Sequence, residues 1–406
     1  MSAGRAREAL TLLRDPSFAR LAAARLVSTF GTAMTPIALP FAVLEDLGGD
    51  AEQVGLLVGS GSAMVVATLL IGGALADRGS RQRQMILADS VAALAQGAIA
   101  LLLLTGSASF DALLALFAIA SIATALHGPA HVGLVPLVAP RERLQAANAL
   151  LGIANSSAYA LGAVSAGLIA AVFGAGAALA IDAATFAVSA LLILGIRTSP
   201  QARSAGESLV RELREGFREF TAHTWLWTIV VQFSVMLMGW FGAFAVLGPV
   251  IAKQSLGGVD AWGTIVGAEG LGLIAGGLLA LRVHFRRPML AATLFCFLIA
   301  LVPLLLAAAA PVPVIAAAGF AAGIGFGAFG VLWNTELHKR VAPAALSRVS
   351  AYDGMGSIAF VPVGEALAGI GATRFGAAAS AIVCAALIVL PTAAVLAVRD
   401  VREMRA

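Results

Sequence analysis

The sequence predicts an all-α polytopic membrane protein, with twelve transmembrane helices in two pseudo-symmetric six-helix bundles and both termini in the cytoplasm. Three observations predict it: the composition, the placement of the basic residues, and an internal repetition. Of 406 residues, 60% are hydrophobic and only 12% charged, against about 45–50% and about 25% in soluble domains. A water-soluble globule is excluded. Lipid cannot satisfy backbone polar groups, and the apolar windows lack the two-residue alternation of barrel strands, so every span is expected to be helical.

With about 20 apolar residues needed per crossing, the windows of the first half fall at roughly 18–44, 53–76, 84–105, 111–137, 145–173 and 175–196. Those of the second half fall at roughly 225–251, 261–281, 288–310, 312–334, 349–371 and 375–398. The first window is too long and too proline-interrupted for a signal peptide and reads as a retained span. Residues 1–200 are expected to form the first bundle and 225–406 the second.

Cytoplasmic loops collect Lys and Arg. Of the 26 basic residues, only Lys253 and Arg374 fall on the opposite side, and only Arg25 lies within a span. A miscount by one span would switch the side of every later loop, so the partition supports the count. It also accounts for the basic pI through contact with anionic lipid rather than nucleic acid.

The segment Ile71–Ala88 laid over Ala275–Ala292, a shift of 204, repeats Gly72, Gly73, Leu75, Ala76, Arg78, Arg83, Met85 and Ala88. Val138-Ala139-Pro140 recurs as Val341-Ala342-Pro343 at a shift of 203. Two separate loops with nearly one offset argue for duplicated halves with a substrate cavity between them. The polar stretch joining them, 201–224, carries Leu209, Leu213, Phe217 and Phe220 at helical spacing. It is expected to be an amphipathic helix on the cytoplasmic surface.

Gly73-Ala-Leu-Ala-Asp77-Arg78-Gly-Ser-Arg81-Gln-Arg83 resembles the loop 2–3 signature of the major facilitator superfamily. Three further stretches resemble its enterobactin-exporter and macrolide-efflux group: His127 to Leu150, Arg211 to Phe217, and Trp333 to Asp353. The resemblance spans essentially the whole chain. It implies a secondary transporter that exports a hydrophobic or amphiphilic small molecule by alternating access, in exchange for protons, from the bacterial cytoplasmic membrane. Proton-coupled uptake or a lipid or metabolite carrier is the alternative within transport, and a non-transporting membrane sensor or scaffold the alternative outside it. Gly73, Asp77, Arg78, Arg81 and Arg83 would then form a conformational latch, with Asp77 accepting from a facing helix start. Leu281 replaces the aspartate in the second copy, so only the first half keeps a charged latch.

An ionisable group in hydrocarbon costs about 2.5–3.5 kcal/mol on insertion scales, so each embedded one is a functional candidate. Glu269, Glu365 and Arg25 are the candidates for proton coupling. Asp89 and Asp182 are read as structural hydrogen-bonding groups near the interfaces, and His127 and His131 as interfacial structure. Polar side chains within the spans are sparse, while aromatic and methionine residues abound and adapt to varied ligands. Phe30, Asn155, Tyr159, Gln232, Met236, Trp240 and Phe326 are the candidates for lining the substrate cavity. Gly325-Phe-Gly327-Ala-Phe-Gly330 has dinucleotide-site spacing but no preceding strand, and reads as close helix packing. Cys296 and Cys384 both sit in apolar runs and imply no disulfide framework. No nucleophile, base and acid set or metal-ligand cluster is evident, so no enzyme, cofactor, metal or nucleic-acid role is expected. The expected partners are an amphiphilic substrate, protons and membrane lipid, with the chain acting as a monomer.

Overall fold

A computed structural model describes residues 11–78, 80–140, 143–197 and 217–405. Among them all regular structure is helical, and twelve helices are long and apolar enough to cross a membrane. In chain order they are α1 (Pro16–Asp46), α2 (Ala51–Arg78), α3 (Arg81–Leu104), α4 (Phe110–Val138), α5 (Leu144–Phe173) and α6 (Ala175–Leu194). There follow α7 (Thr224–Leu256), α8 (Val259–Arg282), α9 (Pro288–Ala307), α10 (Val312–Arg340), α11 (Arg348–Phe375) and α12 (Ala377–Val395). Each window read from the sequence overlaps one of them. Most of the expected linker helix lies outside the described residues, which resume at Phe217 with a helical turn.

The helices gather into two compact units, Met1–Gly48 with Ser60–Ser204, and Gly49–Gly59 with Ala205–Ala406. The short segment 49–59 at the start of α2 thus belongs with the second unit. Glycines explain this: a Cβ on Gly55 would fall 2.6 Å from the Glu365 carbonyl oxygen, and one on Gly59 would fall 3.1 Å from that of Pro362. Only bare backbone lets α2 approach α11 this closely.

In the first unit α3 packs against α4 and α6, while α1 packs against α5 and α6. At the basic-loop end Phe18, Leu21, Met85, Leu134 and Ile193 form a fully buried cluster. Helix α4 carries Pro129 and Pro136, which interrupt its internal hydrogen bonding. Side chains of α3 supply donors there: Gln84 Nε2 donates to the Leu126 carbonyl at 2.8 Å, and Arg81 Nη1 to that of Gly133 at 2.6 Å.

In the second unit the closest pairing is α8 with α10. Gly272 and Gly276 of α8 meet the backbone of Phe320 and Ile324, and Gly319, Gly323 and Gly327 of α10 meet that of Ile265, Glu269 and Leu273. Of the glycines in the dinucleotide-like motif, Gly325 abuts α9 and Gly327 abuts α8, whereas Gly330 faces open space. Small residues replace a side-chain layer here, as is usual where lipid removes the hydrophobic drive between helices.

Helices α1 and α7 share an irregularity. Helix α1 breaks after Thr32 and ends in a π-helical turn at Ala42–Asp46. Helix α7 contains π-helical turns at Gly242–Leu247 and Ala252–Leu256. Pro36 and Pro40 lie between the break and the π-helical turn of α1, and Pro249 lies between the two turns of α7; each removes one backbone donor from the ladder.

Candidate functional site

The first unit holds a buried polar cluster built by four helices. Asp89 of α3 is 1% exposed. Ser189 of α6 donates its hydroxyl to Asp89 Oδ2 at 2.6 Å, and His127 Nε2 of α4 stands 3.5 Å from Oδ1. One turn along α4, His131 stacks on His127 with ring centroids 6.1 Å apart. Arg25 of α1 supplies the positive charge that attracts Asp89. The half-buried arginine is thus within electrostatic reach of Asp89 and of both histidines. From the sequence, Asp89 and His127 read only as separate structural groups near the interfaces. Their meeting has no trace there, because they stand on different helices and no spacing links them.

A second polar triangle lies in the same unit. Thr35 donates to Asp182 Oδ2 at 2.7 Å, and Gln96 Nε2 donates to the same oxygen at 2.8 Å and to Thr35 Oγ1 at 2.6 Å. Asp182 thus satisfies polar groups where α1 breaks. Nearby, Thr29 donates to Asn155 Oδ1 at 2.8 Å, joining α1 to α5. Phe30 lies on the same pairing, its backbone carbonyl against Gly162. Tyr159, one turn beyond Asn155, is half-buried.

Of the latch residues, Arg81 is held on α4 as described, and Arg83 is exposed with its amide capped by Ser80 Oγ at 3.4 Å. Gly73, Asp77 and Arg78 lie in the helical backbone of α2, but their side chains fall outside the described residues.

In the second unit Glu269 is 6% exposed and sits in the α8–α10 glycine seam, where no described residue donates to its Oε2. Glu365 of α11 is 2% exposed. Gln232 and Met236 turn toward α12 inside the unit: Gln232 Nε2 donates to Thr392 Oγ1 at 3.0 Å and lies 3.6 Å from the Met236 sulfur. Met236 itself is fully buried. These two fill the interior of the unit rather than line an open space.

Trp240 and Phe326 belong to a continuous run of eight rings. Trp225 meets Trp333 at 5.4 Å, Trp333 meets Phe329 at 5.9 Å, and Phe329 stacks on Phe233 at 4.5 Å. Phe233 meets Phe326 at 6.4 Å and Phe326 meets Trp240 at 5.2 Å. Phe244 and Trp262 complete it at 4.4 and 5.0 Å. The run begins at the basic-loop ends of α7 and α10 and finishes at the opposite end of the unit. Beside its middle lies a cavity of about 200 Å³ between α7, α10 and α11, lined by Phe233, Phe326, Phe329, Trp333, Asp353 and Ser357 among others. The sequence signal for Phe326 is its aromatic class. Trp333 and Asp353 carry a family resemblance only, and their pairing across twenty positions has no local trace.

Twelve apolar helices, ionisable groups buried among partners or glycines, and an aromatic-walled cavity define an integral membrane transporter. The sequence pattern of the Major Facilitator Superfamily matches residues 21–352, and the chain belongs to that family. It is 25% identical over 255 residues to macrolide efflux protein A of Enterococcus faecalis, an alignment covering 59% of this chain and 78% of that protein. Among solved structures it resembles a point mutant of the nucleoside transporter NupG, with a TM-score of 0.76 and 16% identity over 94% of this chain and 99% of the other. It also resembles a bacterial homolog of the human lysosomal transporter Spinster, with a TM-score of 0.72 and 16% identity over 100% and 99% of the two chains. A POT family transporter solved with 5-aminolevulinic acid gives a TM-score of 0.77 at 10% identity over 95% and 96%. At such identities the solved structures speak for the fold alone.

Proposed function

We propose that this chain is a secondary carrier that exports hydrophobic or amphiphilic small molecules in exchange for protons, by alternating access. The observation that carries the reading is the alignment with a macrolide efflux protein over most of that protein's length. The interior agrees with it: the cavity walls are aromatic, and many polar side chains within the spans bond to one another or to their own helix backbone, as Thr29 to Asn155, Gln232 to Thr392 and Thr293 to the Met289 carbonyl, rather than stand open to a sugar or peptide. A proton-exchanging carrier also needs an embedded group whose charge changes through the cycle. Glu269 suits this role, being a buried acid with an oxygen to which no described residue donates, set in the glycine seam between α8 and α10. Asp89 with His127 is a second candidate, and Glu365 and Arg25 complete the set. Asp77 would act as the latch that favours one state, since only a state-specific contact shifts a population.

The test is uptake of a labelled macrolide into inside-out vesicles under an imposed pH gradient. Native protein is expected to accumulate the drug and to lose accumulation when the gradient is collapsed. Glu269→Gln is expected to bind the drug yet lose gradient-driven accumulation. Native protein that equilibrates the drug without accumulating it would remove the proton-exchange reading.

A further inference from the structure

The break in α1 lies beside a buried acid that has no counter-charge. Asp182 of α6 is 1% exposed, and among the described residues no basic side chain forms an ion pair with it. The groups around it are neutral: Thr35 of α1 and Gln96 of α3 donate to its Oδ2, and Thr185, less than one turn along α6, donates its hydroxyl to the Asp182 carbonyl at 2.7 Å. A negative charge left alone at membrane depth is costly.

The main chain raises that cost. The first half of α1 ends at Thr32, and a helix end of this kind carries the negative pole of the backbone dipoles. Gly31, in its last turn, lets the acid approach: a Cβ there would lie 2.6 Å from Asp182 Oδ1 and would overlap Thr185 Oγ1. Pro36 has no amide hydrogen, so the Thr32 carbonyl four positions earlier loses its helical donor. A carboxylate and a freed carbonyl therefore share one interruption of a spanning helix, the setting in which carriers hold small cations.

The side chains supply further ligands. Asp182 Oδ1 and Gln96 Oε1 are both buried and no described residue donates to either. The Gln96 amide presents its nitrogen to Asp182 Oδ2 and Thr35 Oγ1, and half a turn of that amide presents its oxygen to the same point. A cation would then meet a carboxylate, a hydroxyl and an amide oxygen, all hard ligands. One carboxylate balances one charge, which disfavours calcium, and magnesium holds its waters too firmly for a closed site of this kind. No three His, Cys, Asp or Glu side chains meet among the described residues, so the donor set is not that of a transition metal. Separations of 2.6–2.8 Å among the three side chains leave room for a small ion, sodium before potassium. Thr35 is half-buried and Pro36 beside it is exposed, which gives the ion a way in.

We propose that the break of α1 binds a sodium ion, held by the Asp182 carboxylate, the Thr35 hydroxyl and the Gln96 amide oxygen together with main-chain carbonyls of the break. The ion fastens α1 at its weakest point to α3 and α6. It is additional to the exchange of protons and does not rest on it.

The test uses full-length protein purified without sodium, its melting followed by far-ultraviolet circular dichroism while sodium chloride replaces choline chloride at constant ionic strength. Sodium is expected to raise the melting temperature to a plateau, as a ligand of the folded state must. Potassium is expected to need at least about tenfold more salt for the same rise. Asp182→Asn is expected to increase the half-saturating sodium concentration at least about tenfold, and Thr35→Val about threefold. Thr35→Val keeps the acid and serves where Asp182→Asn does not fold. A purely structural triangle would lower the melting temperature of both variants without changing its dependence on sodium. Sodium acting no differently from choline or from potassium, or a response intact in both variants, overturns the proposal. The vesicle experiment is independent: sodium binding without macrolide accumulation sinks the transport reading alone, and accumulation by a protein indifferent to sodium sinks only this one.

Discussion

His127 Nε2 stands 3.5 Å from Asp89 Oδ1 in the interior of the first unit, joining α4 to α3 where Arg25 of α1 and Ser189 of α6 also converge. Removing one member of a buried charge pair is costlier than removing both, because the survivor is left desolvated. Asp89→Leu is expected to destabilise the protein by about 3 kcal/mol, and the double variant Arg25→Leu/Asp89→Leu to recover most of that loss. Melting followed by far-ultraviolet circular dichroism, which senses the helices of both units, checks it. A double variant no more stable than the single would show that Arg25 is not the partner that matters.

The glycine seam between α8 and α10 makes a position-specific prediction. A Cβ on Gly319 would lie 3.0 Å from the Ile265 carbonyl oxygen, and one on Gly323 would lie 2.7 Å from the Leu273 nitrogen, while Gly277 and Gly330 have nothing within 4 Å. Gly323→Leu is expected to lower stability by more than about 3 kcal/mol, at or beyond the upper end of overpacking costs. Gly330→Ala should leave the melting temperature within about a degree or two of native or raise it. Similar melting of the two variants would contradict the packing described.

Gly133 and Arg81 form one contact. A Cβ on Gly133 would lie 2.6 Å from Arg81 Cδ, so Gly133→Val should expel the arginine from its carbonyl partner. Transport rates of Gly133→Val, Arg81→Ala and the double variant are expected to be alike, since neighbours that act through one interaction are not additive. Fully additive losses would separate the two residues.

Gln232 and Phe326 distinguish interior packing from cavity lining. Gln232→Leu deletes the bond to Thr392 and is expected to shift stability by about 1 kcal/mol without altering the relative rates for a panel of substrates. Phe326→Ala enlarges the cavity and is expected to change those relative rates. A substrate-range change from Gln232→Leu alone would reverse the assignment.

The spans are legible in the sequence because hydropathy is summed over some twenty residues and tolerates local error. The loop boundaries follow from Gly and Pro, and Gly174 and Gly376, both at positive φ, end α5 and α11 as such residues should. The candidate site is legible by residue type only. Phe326 and Trp240 stand out as aromatic, but Met236 and Gln232, equally eligible by type, point into packing. Which face of α7 turns toward α12 depends on contacts with Thr392, 160 positions away. The π-helical turns are hidden for a different reason: an extra residue in a turn leaves composition unchanged while rotating every side chain that follows.

The bare seam between α8 and α10 also governs how the second unit can deform. Two rods touching main chain to main chain have no cushion of flexible groups to shear, so they must travel as one plank. Bending within this unit falls instead to the rods that carry prolines, α7 with Pro249, α9 with Pro303, α11 with Pro362 and α12 with Pro391, and the ring-lined hollow lies along the edge of the plank.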